Sequence, residues 1–150
     1  MVNMLRFLPL CLALIAHPAL ADVAIHDAYA RVAHPKAKAG AVFLQLENSG
    51  DAADRLLAVE SPAAMRVELH THSMVDGAML MREVEGGFEI PAGGAHALER
   101  GGDHIMFMGL TAPWKQGEMI PVTLRFESGQ VIETEIEVDL ERKPDAHSGH

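Results

Sequence analysis

The sequence predicts an all-β protein, an antiparallel sandwich or barrel of about eight or nine short strands. Three observations carry this. Apolar residues recur at alternate positions in run after run. Gly- and Asp-containing turn signals separate those runs. Beyond residue 21 no window reads as a capped amphipathic helix. The last run shows the pattern most clearly. In VIETEIEVDL (131–140), Ile132, Ile136, Val138 and Leu140 fall on one face and Glu133, Glu135, Glu137 and Asp139 on the other, as a half-buried strand requires.

Taken in order, strands are expected at 27–32, 41–47, 55–60, 66–74, 78–84, 95–99, 104–110, 122–127 and 131–140. The turns between them are written as NSG (48–50), DG (76–77), PAGG (91–94), RGG (100–102) and ESGQ (127–130). No internal repeat is present.

Residues 1–21 have the order of a cleavable secretory signal peptide: Arg6, an apolar run over 7–15, and a closing Ala19-Leu20-Ala21. That run is shorter than the roughly 20 residues of a membrane span, and no later segment is apolar enough to span. Cleavage after Ala21 would leave 129 residues. They are expected to form one domain over 22–140 and a flexible polar tail over 141–150. The single cysteine, Cys11, would leave with the signal, so the mature chain offers no thiolate ligand, thiol nucleophile or disulfide. Loss of Arg6 takes the formal charge from −9 to −10. Such a surface repels phosphate, which argues against nucleic acid and anionic membrane as partners.

The chemistry sits in two segments. In VELHTHSMVDGAMLMRE (67–83), an Asp76-Gly77 turn of the usual two-residue type would pair Val75 with Ala78, Met74 with Met79, His72 with Met81 and His70 with Glu83. Alternation then places these His, Met and Glu side chains on one face, with Val67, Leu69, Leu80 and Val84 on the expected core face. In HIMFMGL (104–110), His104, Met106 and Met108 share one face and Ile105 and Phe107 the other. Residues two apart on a strand lie about 6.6–6.8 Å apart, close enough for two side chains to converge on one ion. Thioether sulfur is a soft, neutral donor that favours Cu(I), and imidazole suits copper in either oxidation state. A site without carboxylate or thiolate favours the monovalent ion. It would hold copper yet release it by ligand exchange, which fits transport better than catalysis.

The order His70, ten residues, Met81, twenty-two residues, His104, one residue, Met106 resembles the periplasmic copper chaperone family PCuAC. That family's signature is His, ten residues, Met, about twenty-one residues, His, one residue, Met. The flanking VELHTHSM, MREVEG, IPAGG, GGDHIMFMGL and GEMIPVTLRFESG are also similar, over about 40–138. The resemblance implies a cupredoxin-like antiparallel Greek-key β-sandwich that binds Cu(I) through His70, Met81, His104 and Met106. It further implies delivery towards the copper centres of cytochrome c oxidase, with a copper-accepting oxidase subunit or another copper chaperone as partner. The spacing departs by one residue, for which Gly86-Gly87 is the expected site, and Thr71 stands where some relatives carry a further Met. His72 is kept as a substitute ligand or supporting group.

Around this set, His147 and His150 in the tail are candidates for Cu(II). Met74 and Met79 are expected as an apolar rim or exchange ligands, and Met108 and Trp114 as packing residues. His26, His34 and His96 lack companion donors. A periplasmic copper buffer needs the same ligands as a chaperone. A blue-copper electron carrier would need a cysteine. A β-sandwich interaction module would bind no copper stoichiometrically. No nucleophile setting or carboxylate pair points to an enzyme.

Overall fold

A computed structural model describes residues 22–144. The expected signal peptide over 1–21 and the tail histidines His147 and His150 lie outside the described residues. Ten strands run in chain order: β1 (Val23–Val32), β2 (Ala39–Asn48), β3 (Asp54–Glu60), β4 (Ala64–Val75), β5 (Ala78–Glu83), β6 (Phe88–Ile90), β7 (Ala95–Leu98), β8 (His104–Leu110), β9 (Met119–Phe126) and β10 (Val131–Glu137). One sheet has the order β1-β2-β8-β4-β5, with β7 also pairing β2, and the other the order β10-β9-β3-β6. Every strand-to-strand pairing is antiparallel. This is the cupredoxin-like sandwich that the sequence predicts.

Alternation builds the core. Val42, Leu44 and Leu46 of β2, Ile105 and Phe107 of β8 and Leu69 of β4 meet Leu56, Val59, Val122, Leu124 and Ile136 from the opposite sheet. Each such side chain contributes about 1.5–3 kcal/mol on full burial. Trp114 is buried edge-on against Phe107, with ring centroids 5.2 Å apart, so it packs as expected. Its indole lies over Gly40, where a Cβ would sit 2.4 Å from the ring.

Two elements differ from the sequence expectation. β6 is an additional strand of three residues, Phe-Glu-Ile, between Gly87 and Pro91. β1 begins at Val23, and the chain passes a register shift between His26 and Tyr29, where Asp27 has a φ of 52°. That irregularity hides the alternation upstream of it.

The β4–β5 hairpin has the expected register throughout, from Val75↔Ala78 to His70↔Glu83. Asp76 and Gly77 both take positive φ, 49° and 80°, as a type I′ turn demands. The expected core face holds only in part. Leu69 is buried and Val67 and Val84 are partly buried, but Leu80 is 46% exposed. β5 is the sheet's edge and is exposed along its whole length, so nothing from the second sheet covers Leu80.

Candidate metal centre

The candidate donors lie on the outward face of the larger sheet, where β8, β4 and β5 run side by side. Along β8, Ile105 and Phe107 enter the core and His104, Met106 and Met108 take the other face. Along β4, Leu69 enters the core and Glu68, His70, His72 and Met74 take the other face. Register decides which of them meet. His104 stands directly opposite His70, Met106 opposite Glu68, and Met108 opposite Arg66. On the far flank of β4, His72 stands opposite Met81 and Met74 opposite Met79. Met108 is therefore not a core residue: Phe107 takes the core position beside it, and the Met108 sulfur lies 3.9 Å from the Arg66 guanidinium.

Three imidazoles gather here. The ring centroids of His70 and His104 are 5.8 Å apart and those of His72 and His104 5.1 Å. Each ring has one nitrogen already committed. The Gly102 carbonyl lies 3.0 Å from His104 Nδ1 and 3.2 Å from His72 Nδ1. A carbonyl only accepts, so both rings donate Nδ1–H to it and keep an Nε2 lone pair. His70 is held the other way round: its Nε2 donates to Glu68 Oε2 at 2.7 Å, and Glu68 Oε1 accepts from Arg66 Nε at 2.6 Å. The free nitrogen of His70 is thus Nδ1.

The consequence is a pair of orphans. His70 Nδ1 and His104 Nε2 are both buried and hydrogen-bond to nothing. A buried polar atom left unpaired costs about 1–3 kcal/mol, so two on facing residues mark a place that a Lewis acid would stabilise. His104 is only 2% exposed, and its burial pushes its pKa below 6.5. The Gly102 hydrogen bond opposes that shift, nearby His72 and His70 add to it, and Asp103 opposes it. The ring is therefore held neutral, the form that coordinates metals.

A cavity of about 330 Å³ opens beside these rings, bounded among others by His72, His104, Met81, Met106, Arg31 and Arg100. Three of the four ligands expected from the sequence, Met81, His104 and Met106, line it. The fourth, His70, is not among the lining residues and hydrogen-bonds to Glu68, while His72, opposite Met81, does line the cavity. Among the described residues no three His, Cys, Asp or Glu side chains converge as a cation cage. A centre at this face would need the thioethers.

Sequence reasoning missed four contributors. Glu68 was legible, because it lies two residues before His70 and so shares its face. The Gly102 carbonyl and the wall residues Arg31 and Arg100 had no sequence signal. His96, expected to lack companion donors, has an acceptor oxygen at each ring nitrogen: its Nε2 lies 2.7 Å from Asp103 Oδ2 and its Nδ1 3.0 Å from the Glu89 carbonyl. It thereby pins the residue preceding His104. His26 pairs with Glu47 at 3.2 Å.

Fold and site together define a class, the PCuAC-type β-sandwich with a His- and Met-bearing sheet face. Within it the chain belongs to the LpqE-like family, whose model, described as "Putative lipoprotein LpqE-like", matches residues 23–138. A curated relative from Leifsonia xyli subsp. xyli, "Putative lipoprotein Lxx21020", is 43% identical over 89 residues, 59% of this chain. The chain spans about half the length of that relative, 54%. Among solved structures, the copper-bound PCuAC domain from PmoF2 is similar with a TM-score of 0.66, 19% identity and coverage of 80% of this chain and 94% of that one. The Cu(I) form of DR1885 from Deinococcus radiodurans is similar with a TM-score of 0.64 and 27% identity, covering 85% of this chain and 84% of that one. No helix among the described residues is long and apolar enough to cross a membrane.

Proposed function

We propose that the chain is a periplasmic Cu(I) metallochaperone that holds one cuprous ion through His70, Met81, His104 and Met106. The observation that carries this reading is the pair of buried, unbonded ring nitrogens, His70 Nδ1 and His104 Nε2, on facing residues. Two thioethers, Met106 two residues along β8 from His104 and Met81 opposite His72 on β5, line one cavity with His104. The donor set is neutral and half sulfur, which suits Cu(I) over Zn(II), Mg(II) or Ca(II). The Cu(I)-bound DR1885 from Deinococcus radiodurans, 27% identical, supports copper as the ligand.

The chain's own groups would act as follows. The Gly102 carbonyl and Glu68 carboxylate fix the tautomers, so each ring presents its lone pair without first losing a proton. Burial keeps His104 uncharged below the ordinary imidazole range. The thioethers exchange readily, so the ion passes to a recipient by ligand replacement, with no change of oxidation state. The recipient implied by the family resemblance is a copper-accepting subunit of cytochrome c oxidase, or another copper chaperone on that route. Cargo transfer of this kind needs no catalytic residues.

Titration of residues 22–150 with Cu(I), Cu(II) and Zn(II), with sulfur ligation read by X-ray absorption, tests this. One tightly bound Cu(I) with sulfur scatterers is expected. Absence of stoichiometric Cu(I) binding, or a first shell without sulfur, would overturn the reading.

A further inference from the structure

The β4–β5 hairpin carries soft donors well beyond the four proposed ligands. Of nine exposed large hydrophobic residues among those described, five lie within residues 74–81: Met74, Val75, Met79, Leu80 and Met81. An exposed apolar cluster at one hairpin tip asks for a reason, and the register supplies one. Met74 stands directly opposite Met79, and His72 directly opposite Met81. All four share the face that carries His70 and, on the next strand, His104. Directly opposed residues have Cβ atoms about 4.5–5.5 Å apart, and successive pairs on one face are about 6.6–6.8 Å apart. Paired donors therefore run inward from the tip. First come two thioethers, then an imidazole with a thioether, then the facing imidazoles of His70 and His104.

Exposure falls along the same line: Met74 is 68% exposed, Met79 58%, Met81 44% and His104 2%. An apolar rim alone would not require sulfur, since Leu or Val would serve. A contact surface alone would not require the thioethers to be paired with each other and set two residues from the next donor pair.

We infer that Met74 and Met79 form an outer Cu(I) transit site, through which the ion enters and leaves the inner centre. This rests on the copper reading above and deepens it. The step is ligand exchange only. A Cu–S bond to Met74 or Met79 breaks as a bond to Met81 or His72 forms. Copper stays cuprous, the thioethers stay neutral, and no proton or electron is released. Two thioethers alone bind weakly, so the outer site hands the ion on, while the inner site has imidazole to retain it.

The test is the full chain carrying Met74→Leu and Met79→Leu together, loaded with Cu(I) and mixed with a small water-soluble Cu(I) chelator. Leu keeps the apolar volume, so the patch survives and only the sulfur goes. Exchange with the chelator should slow about tenfold, while equilibrium Cu(I) affinity stays within about twofold and the thermal midpoint is unchanged. A parent chain that binds Cu(I), with a variant that exchanges as fast as it, overturns the transit site alone. Loss of equilibrium affinity in the variant also overturns it, by assigning the pair to the resident centre. A parent chain that binds no Cu(I) overturns the transit site and the chaperone reading together.

Discussion

His70 and His104 face each other across β4 and β8, and each keeps its one uncommitted ring nitrogen buried and without a hydrogen-bond partner. Their tautomers are opposite: Glu68 holds His70 by Nε2, and Gly102 holds His104 by Nδ1. The two lone pairs are therefore defined by different neighbours and can be perturbed separately.

Removing either ring should weaken Cu(I) binding by more than about a hundredfold, the upper end of what loss of a mere supporting partner costs. His104→Gln and His70→Gln, measured by competition with a Cu(I) chelator, check this. His72→Gln should cost far less, although His72 lies on the cavity wall. A larger loss at His72 than at His70 would reassign the nitrogen ligand.

Met81→Leu and Met106→Leu should each lower Cu(I) affinity strongly while leaving the thermal midpoint close to that of the parent, because Leu conserves the apolar volume. Unchanged affinity in both variants would remove sulfur from the proposed centre.

Glu68 is a positioning residue. Replacing it in Glu68→Gln removes the charge that fixes the His70 ring and should reduce Cu(I) affinity about 10–100-fold, with circular dichroism unchanged. Competition titration reads the effect. An effect of the same size on Zn(II) and Cu(I) would point to general loss of structure.

His104 predicts an acid sensitivity. Its folded-state pKa lies below the ordinary imidazole value of 6.5, so the unfolded chain binds the extra proton first. Its contribution to stability is complete above pH 6.5 and is lost as the pH falls through the lowered folded value. The thermal midpoint of the copper-free chain should decline over that interval, and His104→Gln should flatten the decline. A pH-independent midpoint below 6.5 would contradict it.

Gly40→Ala should destabilise the fold by about 1–3 kcal/mol, since the new methyl would sit 2.4 Å from the Trp114 ring and overpack it. Chemical denaturation measures it directly.

How much of this was legible depended on which force set each feature. The hairpin register was readable because Asp76-Gly77 fixes the turn, and the turn fixes every pair outward from it. The outward facing of His104 and Met106 followed from the hydrophobic pull of Ile105 and Phe107. β6 was not readable, because three residues are too few for alternation to emerge. Leu80 was misassigned to the core because alternation gives the face of a residue but not whether a second layer reaches it. His72 and His70 could not be separated by pattern, since they share a face. Only the side-chain partners, Glu68 for one ring and the cavity for the other, distinguish them.

The oxygen of Gly102 serves two masters at once, the rings of His72 and His104. A carbonyl oxygen has two lone pairs, so that peptide is fully subscribed and its plane acts as a jig for both imidazoles. Any rotation of the Gly102–Asp103 peptide plane would turn the outer and the inner nitrogen donor together. A short glycine loop, contributing no side chain, thereby keeps the gateway and the vault of the sheet aligned.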